Sequence, residues 1–208
     1  MIHTTTTTKN IPTTTSSQLP SPLTRVVRRL LVSTDGASRG NPGKSGAGAV
    51  VTHKDRVIGS AHHYIGSYLT NNEAEYEGLL LGIETVSRII TAHIQQQQQQ
   101  QTPLIPSSSS SSATVTTIIE IEFLMDSKLV VEQMSGRWRI NKPHLQALKD
   151  RAVAAIAALS TLSSTEHVVS SSFRHIPRAS NAAADRAANV AVDTKESGSS
   201  ICGGLLIL

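Results

Sequence analysis

The chain of 208 residues has little of several features that mark particular protein classes. Its single cysteine, Cys202, excludes an internal disulfide framework and any zinc site built from several cysteines. No apolar run approaches the roughly 20 residues that a helix needs to cross a bilayer. We therefore expect a soluble protein without a membrane partner. Nineteen Lys and Arg against fifteen Asp and Glu give a net charge of only +4, which is compatible with a polyanionic partner without requiring one.

The first 24 residues contain no acidic residue and are rich in Thr, Ser and Pro. This composition predicts a disordered N-terminal segment over residues 1–24. Because Arg25, Arg28 and Arg29 follow it, the segment also resembles an organelle transit peptide. We expect an intracellular protein, nuclear or cytoplasmic, with organelle import as the alternative.

A second biased segment lies inside the chain. Seven consecutive glutamines occupy positions 95–101, and six consecutive serines occupy positions 107–112. Such tracts bury too little apolar surface to offset their chain entropy, so a disordered insert is predicted over about 94–116. The remaining length suits one domain, over residues 25–193, followed by a C-terminal tail over 194–208.

Hydrophobic patterning outside the insert predicts an α/β domain. Strands are expected at 25–34, 46–52 and 56–67, followed by a helix that Thr70 or Asn71 caps and that ends near His93. After the insert we expect a strand at 117–125, a helix from 126 to 135, a helix at 143–159, a strand at 166–174 and a helix at 180–193. This order predicts a mixed sheet with helices on its faces.

One glycine-rich stretch, residues 33–51, superficially resembles a phosphate-binding loop. Gly43-Lys44-Ser45 matches the end of that motif, but the motif also requires a glycine at position 38, which is Ser38. The following residues, GAGAVV, favour a strand where a phosphate-binding loop would start a helix. The stretch therefore predicts a turn between two strands, not a nucleotide site.

Four carboxylates stand at the ends of predicted elements: Asp35, Glu75, Asp126 and Asp185. Glu75 continues the apolar stripe of its helix toward the sheet, whereas Glu73 and Glu77 lie about 200° around the helix. Oxygen ligands without His or Cys partners suit Mg²⁺ or Mn²⁺. Two such ions, about 4 Å apart, can catalyse phosphodiester hydrolysis. Taken singly, each acid is better explained as a helix cap or turn residue, and only their combination favours a metal site.

Four stretches carry a resemblance to a known family and occur in that family's order: TDGASRGNPGKSGAGAVV, TNNEAEYEGLLLGI, FLMDSKLVVEQMSGRWRI and HIPRASNAAADRAANVA. Together they resemble the type 1 ribonuclease H family, and especially its short plant and prokaryotic branch without a long basic protrusion. The likeness runs from about residue 30 to residue 192, apart from the insert.

The resemblance implies a ribonuclease H-like fold, whose mixed sheet has five strands, three antiparallel and then two parallel, flanked by helices. It implies that Asp35, Glu75, Asp126 and Asp185 are catalytic and hold two Mg²⁺ ions, with Mn²⁺ as an alternative. His175, in a mobile loop ten residues before Asp185, would transfer a proton or assist product release. Outside this pattern, a lone histidine there would be read as structural or as a surface residue.

Substrate contacts are implied for a second group of residues. The amides of Asn71 and Asn72 can hydrogen-bond base edges or a 2′-hydroxyl, which is the group that distinguishes RNA from DNA. The resemblance implies that they contact an RNA–DNA hybrid, as do Asn181 and the backbone of Gly36. For Asn72, a role as helix N-cap alone remains open, and Asn181 also fits an ordinary capping residue.

The only tryptophan, Trp138, stands among cations in SGRWRINKP. An aromatic flanked by Arg137, Arg139 and Lys142 suits a sugar–phosphate track. A partly buried anchor of the turn is an equal alternative for Trp138. The stretch is short, so we expect modest affinity for hybrid.

The sequence thus predicts a monomeric, metal-dependent endonuclease that cleaves the RNA strand of RNA–DNA hybrids. Two alternatives remain: a catalytically inactive hybrid-binding module of the same fold, and a ribonuclease H relic of a retroelement. Retention of four mutually repelling carboxylates argues against the binding module.

Overall fold

The computed structural model describes residues 24–100, 115–164 and 166–202, so the predictions for 1–23, 101–114 and 203–208 lie outside it. The strands in these ranges are β1 (Thr24–Gly40), β2 (Gly43–His53), β3 (Arg56–Leu69), β4 (Val115–Met125), β5 (His167–His175) and β6 (Gly198–Ile201). The α-helices are α1 (Asn71–Gln100), α2 (Lys128–Met134), α3 (Pro143–Ser160) and α4 (Ala182–Thr194). A 3₁₀ turn, Arg178–Asn181, precedes α4.

All six strands form one mixed sheet in the order β5-β4-β1-β2-β3-β6. The pairs β1–β2 and β2–β3 are antiparallel, and β1–β4 and β4–β5 are parallel. The predicted α/β fold with three antiparallel and two parallel strands is therefore confirmed. Carboxyl ends of the parallel strands β1, β4 and β5 meet at one edge of the sheet, which is where such sheets place their sites.

The sixth strand corrects the five-stranded prediction. Strand β6 falls in the segment expected to be a tail and pairs with β3, where Ala61 lies opposite Ser199. Its sequence, GSSI, shows no apolar alternation, because an edge strand of four residues is held by backbone hydrogen bonds rather than by a buried face.

The stretch that resembled a phosphate-binding loop is a β-hairpin. Strand β1 continues six residues past its expected end, and its register with β2 runs from Leu31 opposite Thr52 to Gly40 opposite Gly43. The strand extension was missed because small and polar residues here pair through their backbones and show no hydrophobic period. The structure agrees with the exclusion of a nucleotide loop.

Helix α1 is longer than predicted, which corrects the boundary of the insert. It runs through Gln100, so Gln95 to Gln100 are helical, and the strand after the insert begins at Val115. Glutamine is a good helix former. In addition, Gln97 Oε1 lies 2.8 Å from His167 Nε2 at the start of β5, which ties this part of the tract to the domain.

The core lies between α1 and the sheet. The apolar stripe of α1 is buried, and no member is more than 2% exposed: Leu79, Ile83, Val86 and Ile90. Burying each such side chain contributes about 1.5–3 kcal/mol. This stripe fixes the rotation of α1, and therefore determines which of its acidic residues faces the sheet.

None of the described helices has the length and apolar character needed to span a bilayer.

Candidate active site

Three of the four predicted acids meet at the carboxyl edge of the sheet. Asp35 lies on β1, Glu75 on α1, and Asp126 directly follows β4. One carboxylate oxygen from each lies within 4.8 Å of the others. The parallel pairing of Thr34 with Met125 explains why Asp35 and Asp126 are neighbours, because each is the next residue along its chain segment.

Glycines bring Glu75 against β1. A Cβ on Gly36 would stand 2.1 Å from the backbone carbon of Ala74, and one on Gly78 would stand 2.4 Å from the backbone oxygen of Asp35. Both distances are far below normal van der Waals contact, so only glycine lets α1 lie directly on the strand. This close approach places Glu75 beside Asp35. Gly78 was not identified from the sequence, although its position one turn before Gly82 in the helix is a sign of tight packing.

The cluster is electrostatically unfavourable without a cation. Burial, followed by repulsion from Asp126 and Asp185, raises the pKa of Asp35 to about 7. Burial and the neighbouring Asp35 and Asp126 raise the pKa of Glu75 to about 9. Glu75 Oε2 is also buried without a hydrogen-bond partner among the described residues. A divalent cation would supply the missing partner and relieve the repulsion, so the donor set fits a hard metal ion.

Asn181 holds Asp126 in place. Its Nδ2 donates hydrogen bonds to Asp126 Oδ1 at 2.8 Å and to the backbone oxygen of Thr34 at 2.9 Å. The side chain is 0% exposed. This buried amide joins β1 to Asp126 and orients the carboxylate. The substrate contact of Asn181 stays a prediction. Its side chain does not cap α4.

Asp185 stands beside the group of three acids, and its role as the fourth metal ligand stays a prediction. It lies in the first turn of α4 and accepts a hydrogen bond of 2.6 Å from Arg178 Nη2 on Oδ1. Asn189 Nδ2 lies 3.1 Å from its Oδ2. Repulsion from Asp185 also contributes to the raised pKa of Asp35. Arg178 was not identified from the sequence.

His175 is the last residue of β5 and is exposed, which corrects its expected place in a mobile loop. It pairs in register with Met125, the last residue of β4. His175 therefore stands at the same edge of the sheet as Asp126, one strand away.

Comparison with known proteins identifies the family. A family model described as "Reverse transcriptase-like" matches residues 33–102 and 111–191. A protein named "Ribonuclease HI" from Halobacterium salinarum is 31% identical over 180 residues, covering 84% of this chain and 72% of that protein. The chain belongs to the type 1 ribonuclease H family. The predicted resemblance is confirmed.

Solved structures agree with this assignment. The N-terminal RNase H domain of Rv2228c from Mycobacterium tuberculosis is 36% identical, with a TM-score of 0.55, over 80% of this chain and 95% of that one. LC11-RNase H1 in complex with an RNA/DNA hybrid is 32% identical, with a TM-score of 0.53, over 80% and 98%. The full "Bifunctional protein Rv2228c" is longer, and this chain spans 36% of its length.

In this ribonuclease H domain, the start of α1 forms one rim of the site. Thr70 is the N-cap, since its Oγ1 accepts the backbone N–H of Glu73 at 3.4 Å, while its own backbone N–H and hydroxyl donate to Glu73 Oε2 at 2.7 Å. The alternative that Asn72 serves only as the cap is therefore wrong. Asn71 donates its backbone N–H to Asn41 Oδ1 at 3.1 Å, which joins the rim to the β1–β2 turn.

The backbone of Gly36 lies on the inner side of the site. Its hydrogen bond to Glu75 opposes the rise in the pKa of this carboxyl group.

Trp138 lies on a second exposed surface, after α2. It is 46% exposed, and Lys128 Nζ stands 6.0 Å from its ring centroid. Arg137 forms an ion pair with Glu132, in which its Nε donates to Glu132 Oε2 at 2.5 Å. The other predicted cations, Arg139 and Lys142, are exposed. The sugar–phosphate track stays a prediction.

Proposed function

We propose that the chain is an endonuclease that hydrolyses the RNA strand of RNA–DNA hybrids at a site for two divalent cations, with Mg²⁺ as the physiological ion. The observation that carries this proposal is the meeting of Asp35, Glu75 and Asp126 within 4.8 Å, with a buried Glu75 oxygen that has no hydrogen-bond partner among the described residues. Membership in the ribonuclease H family and the hybrid bound in the LC11-RNase H1 structure support the substrate class.

Asp35, Glu75 and Asp126 would hold the ions, with Asp185 completing the set. When bound, such a metal pair supplies an activated water and charge stabilisation for the leaving oxygen of a phosphodiester. The protein's own contribution is orientation: Asn181 fixes the carboxylate of Asp126, and the buried backbone of β1 fixes Asp35. Rigid placement of this kind lowers the reorganisation that the transition state requires.

His175 would transfer protons at the edge of the site. It is exposed at the end of β5, next to the strand that leads into Asp126. Imidazole exchanges protons readily near neutral pH, so it can accept a proton during hydrolysis or donate one to the departing 3′-oxygen. This assignment makes His175 an auxiliary group that adds rate to the metal-bearing carboxylates.

Substrate recognition is divided between the two exposed surfaces. Asn71 and Asn72 offer side-chain amides beside Glu75, where a 2′-hydroxyl of the RNA strand can be recognised. Trp138 with Arg139 and Lys142 offers stacking and positive charge for the sugar–phosphate backbone of the other strand. One surface thus detects RNA and the other positions its partner strand.

The test is cleavage of three labelled duplexes, an RNA–DNA hybrid, duplex RNA and duplex DNA, with Mg²⁺ and with EDTA. We expect cleavage of the hybrid RNA strand alone, with Mg²⁺ alone, giving 5′-phosphate and 3′-hydroxyl ends. Hybrid binding without cleavage would favour the non-catalytic binding module. Cleavage in EDTA would contradict the metal-dependent mechanism.

A further inference from the structure

Arg178 provides a positive charge at the edge of the carboxylate cluster. Its Nη2 lies 2.6 Å from Asp185 Oδ1, and its side chain is 77% exposed while that of Asp185 is 26% exposed. The positive charge of Arg178 also attracts the carboxylates of Asp35, Glu75 and Asp126. One guanidinium therefore interacts with all four acids.

The contact with Asp185 occupies a potential ligand atom. Asp185 Oδ1 accepts from Arg178, and Oδ2 accepts from Asn189, which also donates to the Asp185 backbone oxygen. Because Asn189 belongs to the same helix, its contact moves with Asp185. Arg178 lies in the preceding turn, so its contact must be given up if Oδ1 is to serve a cation at the cluster.

We propose that Arg178 is a positioning residue that competes with divalent metal for Asp185 and so raises the metal concentration at which the site fills. This inference rests on the proposed function of the cluster as a metal site. In the metal-free protein, the guanidinium compensates part of the acidic charge. When a divalent cation binds, Arg178 and the cation repel each other, and the arginine turns out toward solvent, where most of its side chain already lies.

The size of the effect follows from the exposure of the pair. Exposed ion pairs are weak, and a competitor of that strength changes the apparent dissociation constant of the metal by about two- to five-fold. Loss of the positive charge should therefore tighten metal binding by this factor. A purely structural arginine would leave binding unchanged, or loosen it by disordering the cluster.

The experiment is calorimetric titration of the protein with Mn²⁺ in the absence of nucleic acid. We expect Arg178→Gln to bind Mn²⁺ two- to five-fold more tightly than the native protein, and Arg178→Lys, which keeps the charge, to stay close to native. Arg178→Ala should match the Gln variant. Arg151→Gln is the matched control, because Arg151 forms a comparable ion pair with Glu77, with side chains 59% and 20% exposed, and should not change the dissociation constant.

An unchanged or weaker affinity in Arg178→Gln would overturn the proposal while leaving the metal site itself intact. Tighter binding in Arg151→Gln as well would overturn it too, since net charge alone would then explain the effect. If the native protein bound no Mn²⁺, both this inference and the proposed metal-dependent function would fall.

Discussion

Replacing Glu75 with Gln keeps the shape of the side chain but removes one negative charge from the cluster. The pKa of Glu75 is raised from 4.5 to about 9 in the folded protein. When folding raises the pKa of a carboxyl group, the group does not destabilise the protein at pH values below its unfolded pKa. The free energy of unfolding then falls as the pH rises from the unfolded pKa to the folded pKa. Without metal, the native protein should therefore become progressively less stable between about pH 4.5 and pH 9 because of this group.

The magnitude follows from that interval. Between pH 5 and pH 8, each pH unit of such titration costs about 1.4 kcal/mol, which gives a ceiling of roughly 4 kcal/mol. Relaxation and proton sharing with Asp35 reduce this, so we expect a gain of roughly 2–3 kcal/mol for Glu75→Gln at pH 8. For a domain of this length, that gain raises the melting temperature by on the order of 5–10 °C.

Thermal unfolding in EDTA at pH 5 and at pH 8 measures the effect. Glu75→Gln should melt clearly above the native protein at pH 8 and within about 1 kcal/mol of it at pH 5. Glu120→Gln, which neutralises an exposed acid on β4, is the control and should show no such pH-dependent difference. A variant less stable than native at pH 8, or a gain equal at both pH values, would refute the electrostatic reasoning.

Three further substitutions test the packing, the rim and the glutamine tract. Gly36→Ala places a methyl group 2.1 Å from the backbone of Ala74, and we expect a loss of at least about 2 kcal/mol in urea unfolding; a neutral result would mean that α1 moves freely on β1. Asn72→Ala should reduce the preference for hybrid over duplex DNA in competition binding, with little change in stability; equal losses in both assays would contradict a recognition role. Gln97→Ala should cost about 1 kcal/mol because His167 loses its partner, whereas exposed Gln98→Ala should be neutral, and identical effects would show that the contact contributes nothing.

Much of the site follows from periodicity and from strand ends. Helical phase singled out Glu75 from three neighbouring glutamates, and the structure places Glu73 in the capping interaction and Glu77 in an ion pair. Asp35 and Asp126 were identified because each follows a strand predicted from the sequence, and the parallel pairing of β1 with β4 brings them together. These inferences depend on backbone geometry, which the periodic pattern of apolar residues along the sequence indicates.

What periodicity misses is the choice of side-chain partner. Asn181 was read as a cap or a substrate contact, yet it bonds to Asp126, 55 residues earlier in the chain. The pairing of Arg178 with Asp185 could not be predicted either, because Arg178 lies in a short turn that has no periodic pattern of buried and exposed residues. The helical glutamines were missed for a related reason: composition measures the average cost of ordering a tract, while one tertiary contact at Gln97 adds local support.

Single-turnover cleavage of a labelled RNA–DNA hybrid by Asp126→Asn is the most direct test of the central claim, that clustered carboxylates hydrolyse the RNA strand. Protein in saturating excess with Mg²⁺ removes differences in hybrid affinity, so the rate reports the chemical step. We predict a rate roughly a thousand-fold below native, about 4 kcal/mol of lost transition-state stabilisation, with Glu120→Gln at the native rate. Cleavage by Asp126→Asn within about ten-fold of native, which is only about 1.4 kcal/mol, would contradict the assignment of the site.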